Sequence, residues 1–139
     1  MADSSIVDAL RATDLFGSLG SRALGKVADR CRVIHHEAGK EVATQGGEGV
    51  GLHLITEGTA AVTVHGTARP SLGVGDYFGE VSLIDGKPRS ATVVAETPLT
   101  TISLVSWAFQ PVLDEEPEVS KAMLQVLCTR LRTAENAGR

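Results

Sequence analysis

Closely spaced turn signals divide residues 33–105 into segments that are too short for helices. The segments 52–56, 60–65, 91–95 and 100–105 are rich in Val, Ile, Leu and Thr, and several alternate apolar with polar residues. Glycine-containing turn signals separate the segments, among them Gly39, Gly46, Gly58, Gly66, Gly75 and Gly86. Many short strands at a spacing of about 8–12 residues favour an antiparallel sandwich or barrel over alternating β-α-β units.

Helical patterns precede the strands. Ser4 or Ser5 is expected to cap a first helix in which Ile6 and Leu10 lie on one face. Ser21 is expected to cap a second short helix, whose apolar face comprises Leu24, Val27, Ala28 and Cys31.

Helices also follow the strands. Ser106 can cap a helix over residues 107–113, and Pro117 suits the first turn of a last helix over residues 118–134. Between them, Asp114-Glu115-Glu116 predicts a solvated charge run at a helix N-terminus. The last helix carries two apolar rows, Val119/Met123/Val126 and Leu124/Leu127/Leu131/Ala134. The second row predicts a further partner, such as the same helix of a second subunit, unless the helix is fully buried within its own monomer.

Length and charge limit the function classes. The 139 residues are expected to form one domain, and 13 basic against 17 acidic residues give a formal net charge of −4. A weakly acidic chain is a poor non-specific binder of nucleic acid, and no apolar run approaches the roughly 18 residues that a membrane span needs. The N-terminus lacks a signal-peptide pattern and two cysteines are no disulfide framework, so we expect a cytoplasmic domain with reduced thiols.

One segment carries the chemistry. Gly79 permits a tight turn, and residues 80–84 can form one helical turn whose backbone N–H groups attract an anion. Arg89 can bind the same anion through two parallel hydrogen bonds, and Ser90 adds a hydroxyl donor. Glu80 adds a carboxylate that can accept from a sugar hydroxyl, so the combination fits a ribose phosphate better than a bare sulfate.

This segment resembles the phosphate-binding cassette of the cyclic nucleotide-binding domain family. The resemblance is carried by Phe78-Gly79-Glu80, the loop Asp85-Gly86-Lys87, and Pro88-Arg89-Ser90-Ala91. It continues upstream in Gln45-Gly46-Gly47-Glu48, Leu52-His53-Leu54-Ile55 with Gly58, and Gly75-Asp76-Tyr77, and it extends over essentially the whole chain. Ser82 departs from the family pattern, in which alanine or glycine is usual, but a small residue is kept.

The resemblance implies a role for each cassette residue. Glu80 would accept from the ribose 2′-hydroxyl, Gly79 and Ser82 would offer backbone N–H groups, Arg89 would pair with the cyclic phosphate, and Ser90 would donate to it. The implied ligand-binding set is Phe78, Gly79, Glu80, Val81, Ser82, Arg89, Ser90 and Ala91. Serine at position 90 points to cAMP rather than cGMP as the ligand. The base would meet the last helix, where the possible contacts are Arg130, Thr133, Ala134 and Asn136.

Other chemistries find little support. His35 and His36 are adjacent and would point to opposite faces of a strand, so no metal site is expected. Lys87 is followed by Pro88 rather than Ser or Thr, which excludes a nucleoside triphosphate loop of the usual type. No nucleophile elbow or Cys–His pairing indicates an enzyme.

The prediction is an α+β, mainly β protein. An antiparallel eight-stranded β-roll (jelly roll) over residues 33–105 contains the cassette at residues 78–92, with short helices within residues 1–32 and C-terminal helices within residues 106–135. The predicted function is that of a cytoplasmic regulatory module that binds a cyclic nucleotide, cAMP or alternatively cGMP, and transmits binding through its last helix. Two alternatives remain: a ligand-free β-roll that acts as a dimerisation scaffold, and the sensor part of a transcription regulator or of a cyclic-nucleotide-controlled enzyme.

Overall fold

The computed structural model describes residues 3–43, 46 and 51–137. Its chain forms two compact units, one of Met1–Asp29 with Pro111–Arg139 and one of Arg30–Gln110. The helices are α1 Ser4–Arg11, α2 Ser21–Ala28, α3 Glu80–Asp85, α4 Ser106–Glu115 and α5 Pro117–Ala137. The strands are β1 Arg32–His36, β2 Glu41–Ala43, β3 Gly51–Glu57, β4 Ala60–Val64, β5 Thr67–Leu72, β6 Tyr77–Phe78, β7 Thr92–Ala95 and β8 Leu99–Val105.

Two four-stranded antiparallel sheets make up the unit of residues 30–110. One sheet has the order β1-β8-β3-β6, and the other has the order β2-β7-β4-β5. Aliphatic side chains and Phe78 form a core cluster in this unit, which contains Ala43, Ile55, Ala60, Phe78, Val93, Ala95 and Leu99. The eight described strands in two antiparallel sheets, together with the long C-terminal helix, confirm the predicted fold class.

The four-stranded sheet β1-β8-β3-β6 positions the cassette. Strand β8 pairs with β1 on one side and with β3 on the other, and β3 in turn pairs with the two-residue strand β6. Because β6 ends at Phe78, the chain leaves the sheet at Gly79 and turns directly into α3. The short strand therefore fixes where the cassette begins.

In the helical unit, leucines and Phe16 are buried, but several helix termini differ from the prediction. Asp3, rather than Ser4 or Ser5, caps α1, since its carboxylate accepts from the Ser5 backbone N–H at 2.8 Å. Gly20 rather than Ser21 is the N-cap of α2, and its backbone N–H donates to the carboxylate of Glu118. The predicted apolar face of α2 is also too long, because the helix ends at Ala28 and Cys31 lies beyond it.

Glu116 contradicts the predicted solvated charge run. Its side chain is only 5% exposed, and its carboxylate lies 3.0 Å from both Arg22 Nη1 and Lys26 Nζ of α2. These two cations offset the cost of burying the carboxylate. Asp114 and Glu115 are exposed as predicted.

The two apolar rows of α5 differ in burial. Val119 and Met123 of the first row are buried, whereas Leu124 and Leu131 of the second are 62% and 60% exposed. Full burial of the helix within its own monomer is therefore wrong. Helix α5 has Pro117 in its first turn, as predicted, but it extends to Ala137, three residues beyond the predicted end. No helix in the described part of the chain has the length and apolarity that a membrane crossing requires.

Candidate functional site

A cavity of about 180 Å³ opens beside β6 and α3. All eight residues of the predicted ligand-binding set line it. Tyr77, which the sequence places in the approach to the cassette, lines it as well, and so do Val62 and Val93, which the sequence did not indicate. The fold therefore gathers the cassette residues around one space, while their roles toward a ligand stay predictions.

Gly79 is required where the cassette leaves the sheet. Its φ of +85° lies in the left-handed region, and it is the N-cap residue of α3. A Cβ at this position would collide with the carbonyl oxygen of Gly51 and with Nη1 of Arg89. Because Gly79 has no side chain, it makes no capping hydrogen bond, and the backbone N–H groups in the first turn of α3 can donate to a ligand at this end of the helix.

Arg89 is the buried cation of the site. Its residue is 7% exposed, and its Nη1 donates to the Gly51 carbonyl oxygen at 2.5 Å. Burial lowers the pKa of Arg89 from its ordinary value, and the nearby Glu80 carboxylate partly opposes that change. A guanidinium nevertheless stays charged in proteins, and its five donors form a fork that suits a phosphate.

Hydrogen bonds close the loop between α3 and Arg89. The Ser82 hydroxyl donates to the Lys87 carbonyl oxygen at 3.0 Å, and the Lys87 backbone N–H donates to the Asp85 carboxylate at 2.9 Å. The serine that departs from the family pattern thus stabilises the loop with its side chain. Of the upstream segment Gln45-Gly46-Gly47-Glu48, only Gly46 lies within the described residues, and its N–H donates to the Arg89 carbonyl oxygen at 2.9 Å.

The sequence did not indicate His53, which lies beside the cassette. Its ring stacks on Phe78 with centroids 5.1 Å apart and an interplanar angle of 18°. Burial, followed by the charges of Arg89 and His36, lowers the pKa of His53 to about 4. Only the register of β3 against β6, which pairs His53 with Phe78, reveals this contact.

The predicted base contacts lie in α5, in the other compact unit. Arg130 is 3.8 Å from the carboxylate of Asp14, and the Thr133 hydroxyl donates to the Thr129 carbonyl oxygen at 3.0 Å. Ala134 and Asn136 are exposed. Their contact with a base remains a prediction.

A metal-ion site is not evident among the residues placed by the structure, where no group of three or more His, Cys, Asp or Glu side chains could hold one. His35 and His36 are exposed and half-buried respectively. His36 instead approaches His53, with ring centroids 5.8 Å apart.

Comparisons with known proteins agree on one family. The profile described as "Cyclic nucleotide-binding domain" matches residues 33–116. The chain is 38% identical over 113 residues to the cAMP-dependent protein kinase regulatory subunit of Eremothecium gossypii, a match covering 81% of the chain and 25% of that protein. It is 37% identical over 120 residues to a cyclic nucleotide-gated potassium channel of Rhizobium etli, covering 86% of the chain and 33% of the channel.

A solved structure has the same fold. The N-terminal domain of a transcriptional regulator from Streptomyces coelicolor A3(2) matches with a TM-score of 0.84 and 28% identity, covering 95% of this chain and 96% of that one. The chain thus spans about a quarter to a third of the two curated relatives and nearly all of this excised domain.

Proposed function

The chain belongs to the cyclic nucleotide-binding domain family, and on that premise we propose that it is a regulatory sensor whose ligand is cAMP. The observation that carries the proposal is the buried Arg89 guanidinium at the cavity beneath the first turn of α3. A buried cation is costly unless an anion compensates it. The Glu80 carboxylate compensates it in part, and a cyclic phosphate adds a second anion with two oxygens for the guanidinium fork.

The other cassette residues complete the site. Glu80 accepts from the ribose 2′-hydroxyl, the backbone N–H groups of Gly79 and Ser82 donate to the sugar and phosphate, and the Ser90 hydroxyl donates to the phosphate. All four line the cavity with Arg89. Phe78, Val81 and Ala91 supply apolar contacts, and the adenine meets Arg130, Thr133 or Asn136 of α5.

Serine at position 90 favours cAMP over cGMP, because family members that bind cGMP tend to carry threonine at this position. The similarity to a cAMP-dependent kinase regulatory subunit supports the same choice. Cys31 and Cys128 are not joined in a disulfide, which suits a cytoplasmic compartment. We assign the chain a regulatory role and no catalytic one.

Binding is transmitted through α3 to α4. The Gln110 side chain of α4 donates to the Ile84 carbonyl oxygen of α3 at 3.4 Å. Because α3 forms part of the cavity wall, a ligand that draws α3 inward also pulls on α4, and α4 leads within one residue into α5. A ligand shifts such an equilibrium only by binding one arrangement more tightly than the other.

Calorimetric titration with cAMP and cGMP tests the ligand. We expect saturable binding that favours cAMP, and a loss of about 2–5 kcal/mol in Arg89→Ala, as when one member of a buried charge pair is removed. Arg69→Ala is the matched control, since it removes the same charge from an exposed position on β5. Equal affinity in wild type and Arg89→Ala would reject this site, and no binding of either nucleotide would reject the proposed ligand.

A second candidate function is self-association through α5. Leu124 and Leu131 are largely exposed, and they lie on one helical face with the half-buried Leu127. A homodimer would cover this row. Sedimentation over a concentration series should then show a dimer in wild type and a monomer in Leu124→Glu/Leu131→Glu, whereas an unchanging monomer in both would reject it.

A further inference from the structure

Three polar side chains share one face of the sheet that carries the cassette. Thr101 of β8 lies opposite Ile34 of β1 and Ile55 of β3, so His36 and His53 lie two residues along on each neighbouring strand and on the same face. The Thr101 hydroxyl lies 3.2 Å from Nε2 of His36 and 3.1 Å from Nδ1 of His53. Thr101 is fully buried and His53 is 7% exposed.

The hydrogen count limits the donors in this group. A threonine hydroxyl has one hydrogen and two acceptor lone pairs, so at least one of the two rings must donate to it. The hydroxyl thereby satisfies both histidines without any charge. The lowered pKa of His53 agrees, because burial and the charge of the nearby Arg89 both keep its ring neutral at pH 7.

The ring of His53 reaches the cassette through Phe78. Strand β6 has only two residues, which pair with His53 and Leu54 of β3, and two backbone hydrogen bonds of Ile55 to the turn before β6 extend this short ladder. The stacked ring of His53 adds a side-chain contact to that short pairing. Phe78 is followed directly by Gly79, whose turn must keep clear of Arg89 and of the Gly51 carbonyl.

We propose that His53, oriented by Thr101, is a positioning residue that holds Phe78 in place and thereby sets the Gly79 turn at the cavity that the cassette lines. A side chain that merely filled the core could be replaced by leucine without affecting the turn. The proposal rests on the proposed function only for its ligand readout, since the placement of the turn can be measured without nucleotide.

The test compares three variants of the full chain. His53→Leu removes both the ring stack and the Thr101 hydrogen bond, and His53→Phe restores the ring alone. His35→Leu is the matched control, because His35 makes an equivalent contact with the same strand β8, Nδ1 to the Thr100 hydroxyl at 3.0 Å, but from an exposed position on β1. The readouts are the backbone amide resonances of Gly79 and Val81 without ligand, the calorimetric affinity for cAMP, and the thermal midpoint.

We expect His53→Leu to shift the Gly79 and Val81 resonances and to weaken cAMP binding roughly tenfold, since a loosened supporting shell misplaces the groups it carries. His53→Phe should return both readouts most of the way to wild type, and His35→Leu should change neither. Wild-type resonances and affinity in His53→Leu would overturn the proposal, as would a His53→Phe variant no better than His53→Leu.

Two further outcomes are distinguishable. If His53→Leu does not fold, His53→Gln takes its place, because it keeps a polar partner for Thr101 but lacks the ring; unchanged resonances in that variant overturn the proposal. If wild type binds no cyclic nucleotide, the proposed function fails, while the resonances of Gly79 and Val81 still decide the role of His53.

Discussion

Two glycines that bound the same helix provide a controlled measure of how tightly the cassette is packed. Gly79 begins α3 with φ +85° and Gly86 ends it with φ +68°, so alanine is strained at both positions. Left-handed backbone costs an L-residue about 1–2 kcal/mol. A Cβ at Gly86 would meet nothing within 4 Å, so Gly86→Ala should lower the free energy of unfolding by that amount alone.

Gly79→Ala has a second cost. Its methyl group would intrude between the Gly51 carbonyl oxygen and Arg89 Nη1, which are hydrogen-bonded to each other. Breaking a hydrogen bond to a buried charged group adds about 1.5–3 kcal/mol, which brings the total to about 2.5–5 kcal/mol. That is a large part of the roughly 5–15 kcal/mol that stabilises a typical domain.

Urea unfolding followed by far-ultraviolet circular dichroism measures both costs. We expect the free energy of unfolding of Gly79→Ala to be at least about 1.5 kcal/mol lower than that of Gly86→Ala, because this is the minimum cost of losing the charged hydrogen bond. Equal losses in the two variants would refute the reasoning, because they would show that the Gly79 turn has room for a side chain and that Arg89 is not held against Gly51.

Three other predictions concern titratable groups. The pKa of His53 falls from its ordinary value of 6.5 to about 4 in the folded chain, so between these pH values only the unfolded chain binds a proton at this side chain. The free energy of unfolding should therefore fall by up to about 3 kcal/mol as the pH drops through that range. In His53→Phe, the urea midpoint should no longer show this part of the pH dependence. Lys26, with Arg22, lowers the pKa of Glu116, so the ion pairs stabilise the fold above the ordinary carboxyl pKa and are lost in acid. Glu116→Gln should therefore lower the thermal midpoint at neutral pH but much less at acid pH, and a gap of constant size would contradict the charge argument. Burial raises the pKa of Cys31 to about 12, whereas Cys128 is exposed. A thiol reagent should therefore modify Cys128 quickly in the native protein and Cys31 only slowly. The Cys128→Ser variant should show no fast-reacting thiol.

The strands with strong apolar patterns were predictable. Segments predicted at 52–56, 60–65 and 100–105 correspond to β3, β4 and β8, because a strand buried on one face must alternate or be largely apolar. Strand β5 carried no such signal. It contains Pro70, is almost entirely exposed and lies at the edge of its sheet, where proline is tolerated.

The cassette residues were predictable because they are contiguous in sequence, so a local motif brings them together. His53, Thr101 and His36 come from three different strands, and only the register of those strands places their side chains on one face. Glu116 was misjudged for a similar reason, since its cationic partners Arg22 and Lys26 lie 94 and 90 residues before it. Contacts set by long-range pairing leave no local pattern to detect.

Helix α5 is packed at its first two turns and largely exposed along the rest of its length. Its first two turns are anchored by Val119, Ala122 and Met123, and beyond Met123 none of the residues placed by the structure is buried. The 14 residues from 124 to 137 extend about 21 Å at 1.5 Å per residue. A rotation of about 10° at the anchored turns therefore carries the far end through roughly 3.5 Å, which is more than half of one helical pitch. A rotation of this size at the anchored turns thus moves the tip of the helix by about the width of a side chain.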